Sequence, residues 1–258
     1  VEVAETHDAS SIHERVYRVG DGDEARLEGL CRLLLHFRPA SSVVFCNTKR
    51  ETDEVAQALE AAGFSALALH GDLEQADRDR LLVLFANRSA SILVATDVAA
   101  RGLDIAELDA VFNYHIAREL EVHVHRVGRT GRAGSAGIAC TLVGEGEEYR
   151  LERLADFLGE PLEEATLPPR SVLSREPLVP PMATLQLGSG KKQKVRPGDI
   201  LGALTGEAGL AGDQVGKIKV LANSAFVAVR REVADEALAR LLNGRIKGRS
   251  VRARRVGR

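Results

Sequence analysis

Ile92-Leu93-Val94-Ala95-Thr96-Asp97-Val98-Ala99-Ala100-Arg101-Gly102-Leu103-Asp104 passes within a few positions from an unbroken apolar run to a polar loop containing a glycine. A short run of consecutive apolar residues with β-branched members reads as a strand buried on both faces, the habit of strands in parallel sheets. Sheets of that kind bind ligands just beyond the carboxyl ends of their strands, so the loop opening at Thr96 stands where recognition takes place. A helix cap at Thr96 or Asp97 is the competing reading of the same residues.

The pattern repeats on either side. Val43-Val44-Phe45-Cys46 runs into Asn47-Thr48-Lys49-Arg50, and Ala66-Leu67-Ala68-Leu69 runs into His70-Gly71-Asp72-Leu73-Glu74-Gln75-Ala76-Asp77-Arg78. Ala110-Val111-Phe112 and residues 137–143 are further strand candidates. Helices are predicted between them: over 49–62, with Val55, Leu59 and Ala62 on one face and Gly63 as its stop, over 74–86, and over 147–158, ending at Gly159-Glu160-Pro161. Alternation of strand and helix from about residue 40 predicts an α/β domain with a parallel sheet of βαβ units.

Six of the eight prolines fall within 161–181. Because Pro fixes φ and disfavours helix in the residue before it, this segment is predicted as a semi-extended linker between a domain over 1–160 and another over 182–258. Past the linker the sequence predicts a strand over 183–187, a helix over 197–204, strands over 216–221 and 224–230, a helix over 232–242 and a strand over 250–254. That order, βαββαβ, is an α+β arrangement shared with RNA-recognition (RRM-like) domains.

Charge divides near the same place. Residues 1–190 carry 19 Lys and Arg against 31 Asp and Glu, a net of −12, whereas residues 191–258 carry 16 against 6, a net of +10. A basic module joined to an acidic one points to a polyanionic partner, the bland alternative being a solvated basic face. There is no Trp, and Phe226 is the one aromatic of its strand, so broad base stacking on the second sheet is not expected. Recognition should lean on phosphates through Lys191, Lys192, Lys194, Arg196, Lys217, Lys219, Arg245, Lys247, Arg249, Arg252 and Arg254.

Cys31, Cys46 and Cys140 are an odd number without a CxxC pair, which suggests neither a disulfide framework nor a zinc site and fits a reducing, cytoplasmic compartment. No apolar run approaches the roughly 18 residues needed to span a bilayer, and the N-terminus lacks a signal-peptide layout, so no membrane partner is expected. A start at Val1 rather than Met suggests a piece of a longer protein.

The densest chemistry lies in His125-Arg126-Val127-Gly128-Arg129-Thr130-Gly131-Arg132-Ala133-Gly134. Arg126, Arg129 and Arg132 recur every third position, so on a helical turn they would project to nearly one side, with glycines permitting close approach of a phosphate. Converging guanidinium groups stabilise the charge that develops on a transferring phosphoryl group. Two look-alikes fail. Gly188-Ser189-Gly190-Lys191-Lys192 lacks the first glycine and final hydroxyl of a P-loop, and His123 and His125 lack acidic or thiol partners for a metal, so none is expected.

Together with the loops after the strands, this stretch resembles the second RecA-like lobe of DEAD-box RNA helicases over about residues 12–145. Phe45-Cys46-Asn47-Thr48-Lys49-Arg50 looks like motif IV, the loop from His70 to Arg78 like the motif that follows it, Thr96 to Asp104 like motif V, and His125 to Gly134 like motif VI. The resemblance implies a RecA-like, P-loop-NTPase-like lobe in which Arg129 and Arg132 are catalytic fingers to the ATP γ-phosphate and Asp104, beside Gly102, meets the ribose. It further implies that His125 and Arg126 couple the two lobes, and that Thr48, Gly71, Gln75, Arg78, Thr96 and Arg101 follow the RNA backbone. Gly190-Lys191-Lys192, Arg196-Pro197-Gly198-Asp199-Ile200-Leu201-Gly202-Ala203-Leu204-Thr205-Gly206 and Val215-Gly216-Lys217-Ile218 are similar to the RNA-binding domain of the DbpA subfamily.

What that subfamily implies is an ATP-dependent RNA helicase tethered to hairpin 92 of 23S rRNA in the pre-50S particle. No Walker A lysine and no Asp-Glu-Ala-Asp run occurs, so ATP and Mg would be held mainly by an N-terminal RecA-like lobe, and these residues alone are expected to be inactive. Ala76, where the subfamily has Arg, and Glu119-Leu120, where an Asp-Pro is usual, depart from the pattern. Two rivals stand beside this reading: a DNA-directed helicase lobe and a non-catalytic rRNA-binding module.

Overall fold

The strand-and-loop repeats form one parallel sheet. In the computed structural model, which describes residues 12–100, 108–131, 137–207 and 209–257, the chain divides into two units: Val1–Leu73 with Ser91–Leu178, and Glu74–Ala90 with Val179–Arg258.

The sheet of the first unit takes its strands from β1 (Ile12–Arg18), β2 (Ser42–Cys46), β3 (Ala66–Leu69), β4 (Ile92–Thr96), β5 (Ala110–Asn113), β6 (Gly137–Val143) and β7 (Glu163–Ala165), in the order β3-β4-β2-β5-β6-β1-β7. All its pairings are parallel. Its helices are α1 (Gly22–Phe37), α2 (Lys49–Ala61), the short α4 (Asp97–Ala100), α5 (Leu120–Val127) and α6 (Glu148–Leu158), while α3 (Gln75–Ala86) groups with the second unit. Central strands β2 and β5 are buried at every position, as a parallel sheet covered on both faces requires. Leu30, Leu34, Val44, Leu59, Phe112 and Leu142 carry its main core. The α2 start is capped by Thr48, whose hydroxyl accepts from the Glu51 amide at 3.2 Å. The end of α6 is set by Gly159 in the left-handed region at φ 80°.

Segment 161–181 is more structured than its prolines predict. It supplies edge strand β7 and a 3-10 turn over Arg170–Ser174, and its Pro168 carbonyl accepts from Arg32 Nε at 2.6 Å.

The second unit holds β8 (Met182–Leu187), α7 (Pro197–Thr205), β9 (Val215–Val220), β10 (Ala225–Arg230), α8 (Ala234–Asn243) and β11 (Ala253–Val256), with an antiparallel sheet in the order β11-β8-β10-β9. This is the expected βαββαβ. The last strand starts three residues later than predicted, because Lys247 and Gly248, at φ 52° and 75°, fold a tight turn closed by Ile246 and Arg249, and buried Val251 anchors the chain before it joins the sheet. On β10, Val227 and Val229 face the core with Ile200, Leu204 and Leu241. Phe226 and Ala228, on the opposite face, are 2% and 1% exposed. Within this unit Thr184 of β8 is held by Asn87 Nδ2 at 3.1 Å and the Ser89 hydroxyl at 2.6 Å.

Candidate nucleotide and RNA site

The carboxyl ends of β2, β4 and β5 meet at one buried guanidinium. Arg126, 2% exposed, donates from Nε and Nη2 to the two carboxylate oxygens of Asp97 at 2.6 and 2.7 Å, from Nη2 to Asn47 Oδ1 at 3.0 Å, and from Nη1 to the His115 carbonyl at 2.9 Å. Its plane lies over the Phe45 ring, 5.1 Å from the centroid. A bidentate carboxylate pair of this kind fixes orientation as well as charge. Asp97 is thereby spent on Arg126, and the expectation that Arg126 and Arg129 share one helix face is corrected: α5 ends at Val127, so Arg129 lies beyond the helix that carries Arg126.

Arg129 is half-buried, and among the described residues its side chain has no partner. It lines a cavity of about 390 Å³ with Phe45, Asp97, Glu119, His125 and Arg126. His125 is exposed, and Thr96 is half-buried beside Asp97. Arg101, Gly102, Asp104 and Arg132 lie outside the described residues.

A second charged layer lies next to this one. His115 Nε2 meets Glu51 Oε1 at 2.6 Å and Nδ1 meets Glu147 Oε1 at 3.3 Å, while Arg26 holds the other Glu147 oxygen and donates to the Tyr114 carbonyl at 2.7 Å. Burial opposes the His115 imidazolium, but the hydrogen bonds to Glu147 and Glu51 outweigh it and raise its pKa. Burial likewise opposes the Glu147 carboxylate, yet His115, the Gly144 amide and Arg26 bring its pKa down to about 2. Glu51 also accepts from the Asn47 amide at 2.9 Å, so this layer is tied to the Arg126 partners. Asp97 was read from the sequence only as a possible cap and Asn47 only as part of its loop, while Glu51 and His115 were not singled out; their position just beyond strand ends was the signal that could have found them.

Of the other expected RNA contacts, Thr48 is exposed and caps α2, and Gly71 is exposed next to Asp72, which pairs with Lys49. Gln75 and Arg78 belong to the second unit, where Gln75 is exposed and donates to Asp79 at 2.7 Å and Arg78 is half-buried. In the tail, Lys191, Lys192, Lys194 and Arg196 are exposed on a loop whose backbone is pinned: the Lys191 and Lys192 amides donate to the Leu221 and Ala222 carbonyls at 2.8 and 2.9 Å. Gly190 starts it because a Cβ there would lie 2.4 Å from the Leu221 carbonyl. Lys217 and Lys219 stand exposed on edge strand β9, as do Arg245, Lys247, Arg249, Arg252 and Arg254 along the α8–β11 segment, with Arg254 bound to Gln186 and Lys247 near Asp199 at 3.5 Å. Phe226 is too deeply buried to stack on a base.

Residues 25–134 match the helicase conserved C-terminal domain, and residues 184–255 match the DbpA RNA binding domain. ATP-dependent RNA helicase DbpA of Escherichia coli K12 is 47% identical over 254 residues, covering 98% of this chain and 55% of that protein. This chain belongs to the DEAD-box family of RNA helicases. It has a helicase C-terminal lobe followed by a DbpA-type RNA-binding domain. The crystal structure of the E. coli DEAD-box protein SrmB bound to regulator of ribonuclease activity A superposes with a TM-score of 0.55 at 33% identity, over 65% of this chain and 98% of that one. A DEAD box protein from Methanococcus jannaschii gives 0.56 at 38% identity, over 60% and 42%. The chain spans about half the length of the DbpA relative it matches. Among the described residues, no group of three or more His, Cys, Asp or Glu could hold a metal, and no helix is long and apolar enough to cross a membrane.

Proposed function

We propose that this chain is the C-terminal half of an ATP-dependent RNA helicase that works in the cytoplasm on 23S rRNA near hairpin 92 during assembly of the large ribosomal subunit. The observation that carries this reading is Arg129: a half-buried guanidinium without a partner among the described residues, lining a cavity whose other arginine, Arg126, is fully committed. An uncommitted arginine in a preorganised cavity suits the charge of a transferring phosphoryl group. ATP with its magnesium, held mainly by the N-terminal lobe, supplies the bond to be broken. Arg129 and Arg132 act at its γ-phosphate, Asp104 and Gly102 at its ribose, and His125 with Arg126 passes lobe closure to the RNA side. Thr48, Gly71, Gln75, Arg78, Thr96 and Arg101 hold the RNA backbone, which makes the lobe tolerant of sequence, while the basic tail selects the hairpin.

Arg129→Ala in the intact protein should lower RNA-stimulated ATP hydrolysis by roughly a thousandfold while leaving RNA affinity near wild type. Hydrolysis near the wild-type rate would overturn the finger assignment. Equal competition by single-stranded DNA and RNA would favour a DNA-directed motor instead, and equal binding of hairpin 92 and unrelated hairpins would remove the rRNA assignment.

A further inference from the structure

Eight of the thirteen described arginines in the first unit bind a carboxylate or a main-chain carbonyl through their side chains. The five that do not, among the described residues, are Arg118, Arg129, Arg150, Arg153 and Arg175. Arg129 lines the nucleotide cavity. Three of the remaining four, Arg118, Arg150 and Arg153, line one other cavity, of about 110 Å³, together with Tyr149, Ile116 and Leu120.

Two of these arginines come from α6, where Arg150 and Arg153 are three residues apart and Tyr149 and Arg153 are four apart, so all three side chains share a face. Arg118 comes from the turn between β5 and α5. Collecting three cations around one concavity costs Coulomb energy, and none of the described residues that line it is acidic; Glu148, next to Tyr149, pairs with Arg18 at 3.3 Å. An anion in the cavity would reverse the sign of that energy. The anion's neighbour is indicated too. Tyr149 is 53% exposed, its hydroxyl accepts from Arg150 Nε at 2.9 Å, and the Arg150 guanidinium sits 5.8 Å from its ring centroid. An exposed ring with a guanidinium beside it is a surface on which an unpaired base stacks, whereas the carboxylates of an acidic protein would leave the ring bare.

We propose that this cavity binds a backbone phosphate of single-stranded RNA, with the adjoining base resting on Tyr149. The inference rests on the RNA-helicase reading above and adds to the lobe a contact outside the motif loops. Its place has a consequence. The turn that gives Ile116, Arg118 and Leu120 to this cavity gives Glu119 to the nucleotide cavity and leads directly into α5, which carries His125 and Arg126. RNA seated here would therefore bear on the wall of the nucleotide cavity.

The test uses the full chain and fluorescence anisotropy with a hairpin RNA, alone and carrying a single-stranded extension. Wild type should bind the extended RNA more tightly. In the triple variant Arg118→Gln, Arg150→Gln, Arg153→Gln that gain should fall roughly tenfold, and the slope of log K against log salt should flatten by roughly 0.7 for each phosphate that is no longer neutralised. The triple Arg→Lys variant should recover the slope, which separates the effect of charge from misfolding. Tyr149→Ala should cut the gain by roughly tenfold with the slope unchanged, since stacking is not screened by salt. The proposal fails if the extension adds nothing in wild type, or if its gain survives both the triple Gln and the Tyr149 changes, while Lys191→Gln with Lys192→Gln still weakens hairpin binding. It also fails if millimolar inorganic phosphate removes the gain from wild type at constant ionic strength, because that identifies a free-anion site. Absence of RNA binding by wild type would instead remove the RNA-helicase reading on which the proposal stands.

Discussion

Arg126 satisfies Asp97, Asn47 and the His115 carbonyl from a position 2% exposed. Removing it would leave the Asp97 carboxylate, itself only 23% exposed, without its counter-charge. Arg126→Ala should therefore cost about 3–5 kcal/mol of stability, and Arg126→Lys should recover only part of it, since an ammonium cannot make the two-pronged contact. Urea midpoints of the full chain measure this, and a midpoint for Arg126→Ala equal to wild type would show that the pair holds nothing together. The chemistry of the arginine run was legible in its three-residue spacing, but the division of labour inside it was not. Arg126 is buried by partners 29 and 79 positions upstream, and the helix that would have aligned it with Arg129 ends one residue after it. No local pattern carries that information.

Three elements meet at His115, which follows β5, through Glu51 of α2 and Glu147 ahead of α6, with Arg26 of α1 behind Glu147. Since the hydrogen bonds to both carboxylates raise the His115 pKa, its share of stability is present in full below its unfolded value of about 6.5 and is lost as pH rises through the higher folded value. Glu147, brought down to about 2, and Glu51, also lowered, contribute above the ordinary carboxylate range and lose that share as pH falls toward their folded values. The excess stability of wild type over His115→Gln should thus peak between about pH 4.5 and 6.5 and shrink on both sides. Urea midpoints of the two proteins across that span are the measurement, and a pH-independent difference would show that His115 packs there uncharged. At this scale the helices with one apolar stripe, such as α2, were readable from period and stop signal. Helix α1 was not, because Arg26, Gly29, Leu30, Cys31, Leu33, Leu34 and Leu35 are all buried, and the one polar line left to it, Glu24, Glu28, Arg32 and His36, is too narrow to stand out beside so wide a buried face. Strand β7 was hidden by its own composition: Glu163, Glu164 and Ala165 pair with β1 as an edge strand, where Arg15 and Arg18 meet the two carboxylates.

Across the whole chain, the change from −12 over residues 1–190 to +10 over residues 191–258 foretold where RNA binding belongs. Pattern could not foretell that Glu74–Ala90 groups with the C-terminal unit, since contiguous residues give no sign of leaving their neighbours. Nor could it show that Phe226, the one ring on β10, is 2% exposed. With that ring buried, the exposed cations on the pinned Gly190–Arg196 loop, β9 and the α8–β11 segment are the groups left to supply RNA affinity, and binding of that kind is driven by release of counterions from phosphates. For the full chain and a hairpin RNA, log K should fall linearly with log salt, and neutralising Lys191, Lys192 and Lys194 together should flatten the slope by roughly 0.7–0.9 for each phosphate they had engaged. Phe226→Ala should leave that slope unchanged and instead lower the stability of the second unit by about 3–5 kcal/mol, the cost of emptying a buried aromatic site. A salt-independent affinity that disappears with Phe226→Ala, in a protein still folded by circular dichroism, would place recognition on the sheet face and not on the basic loops.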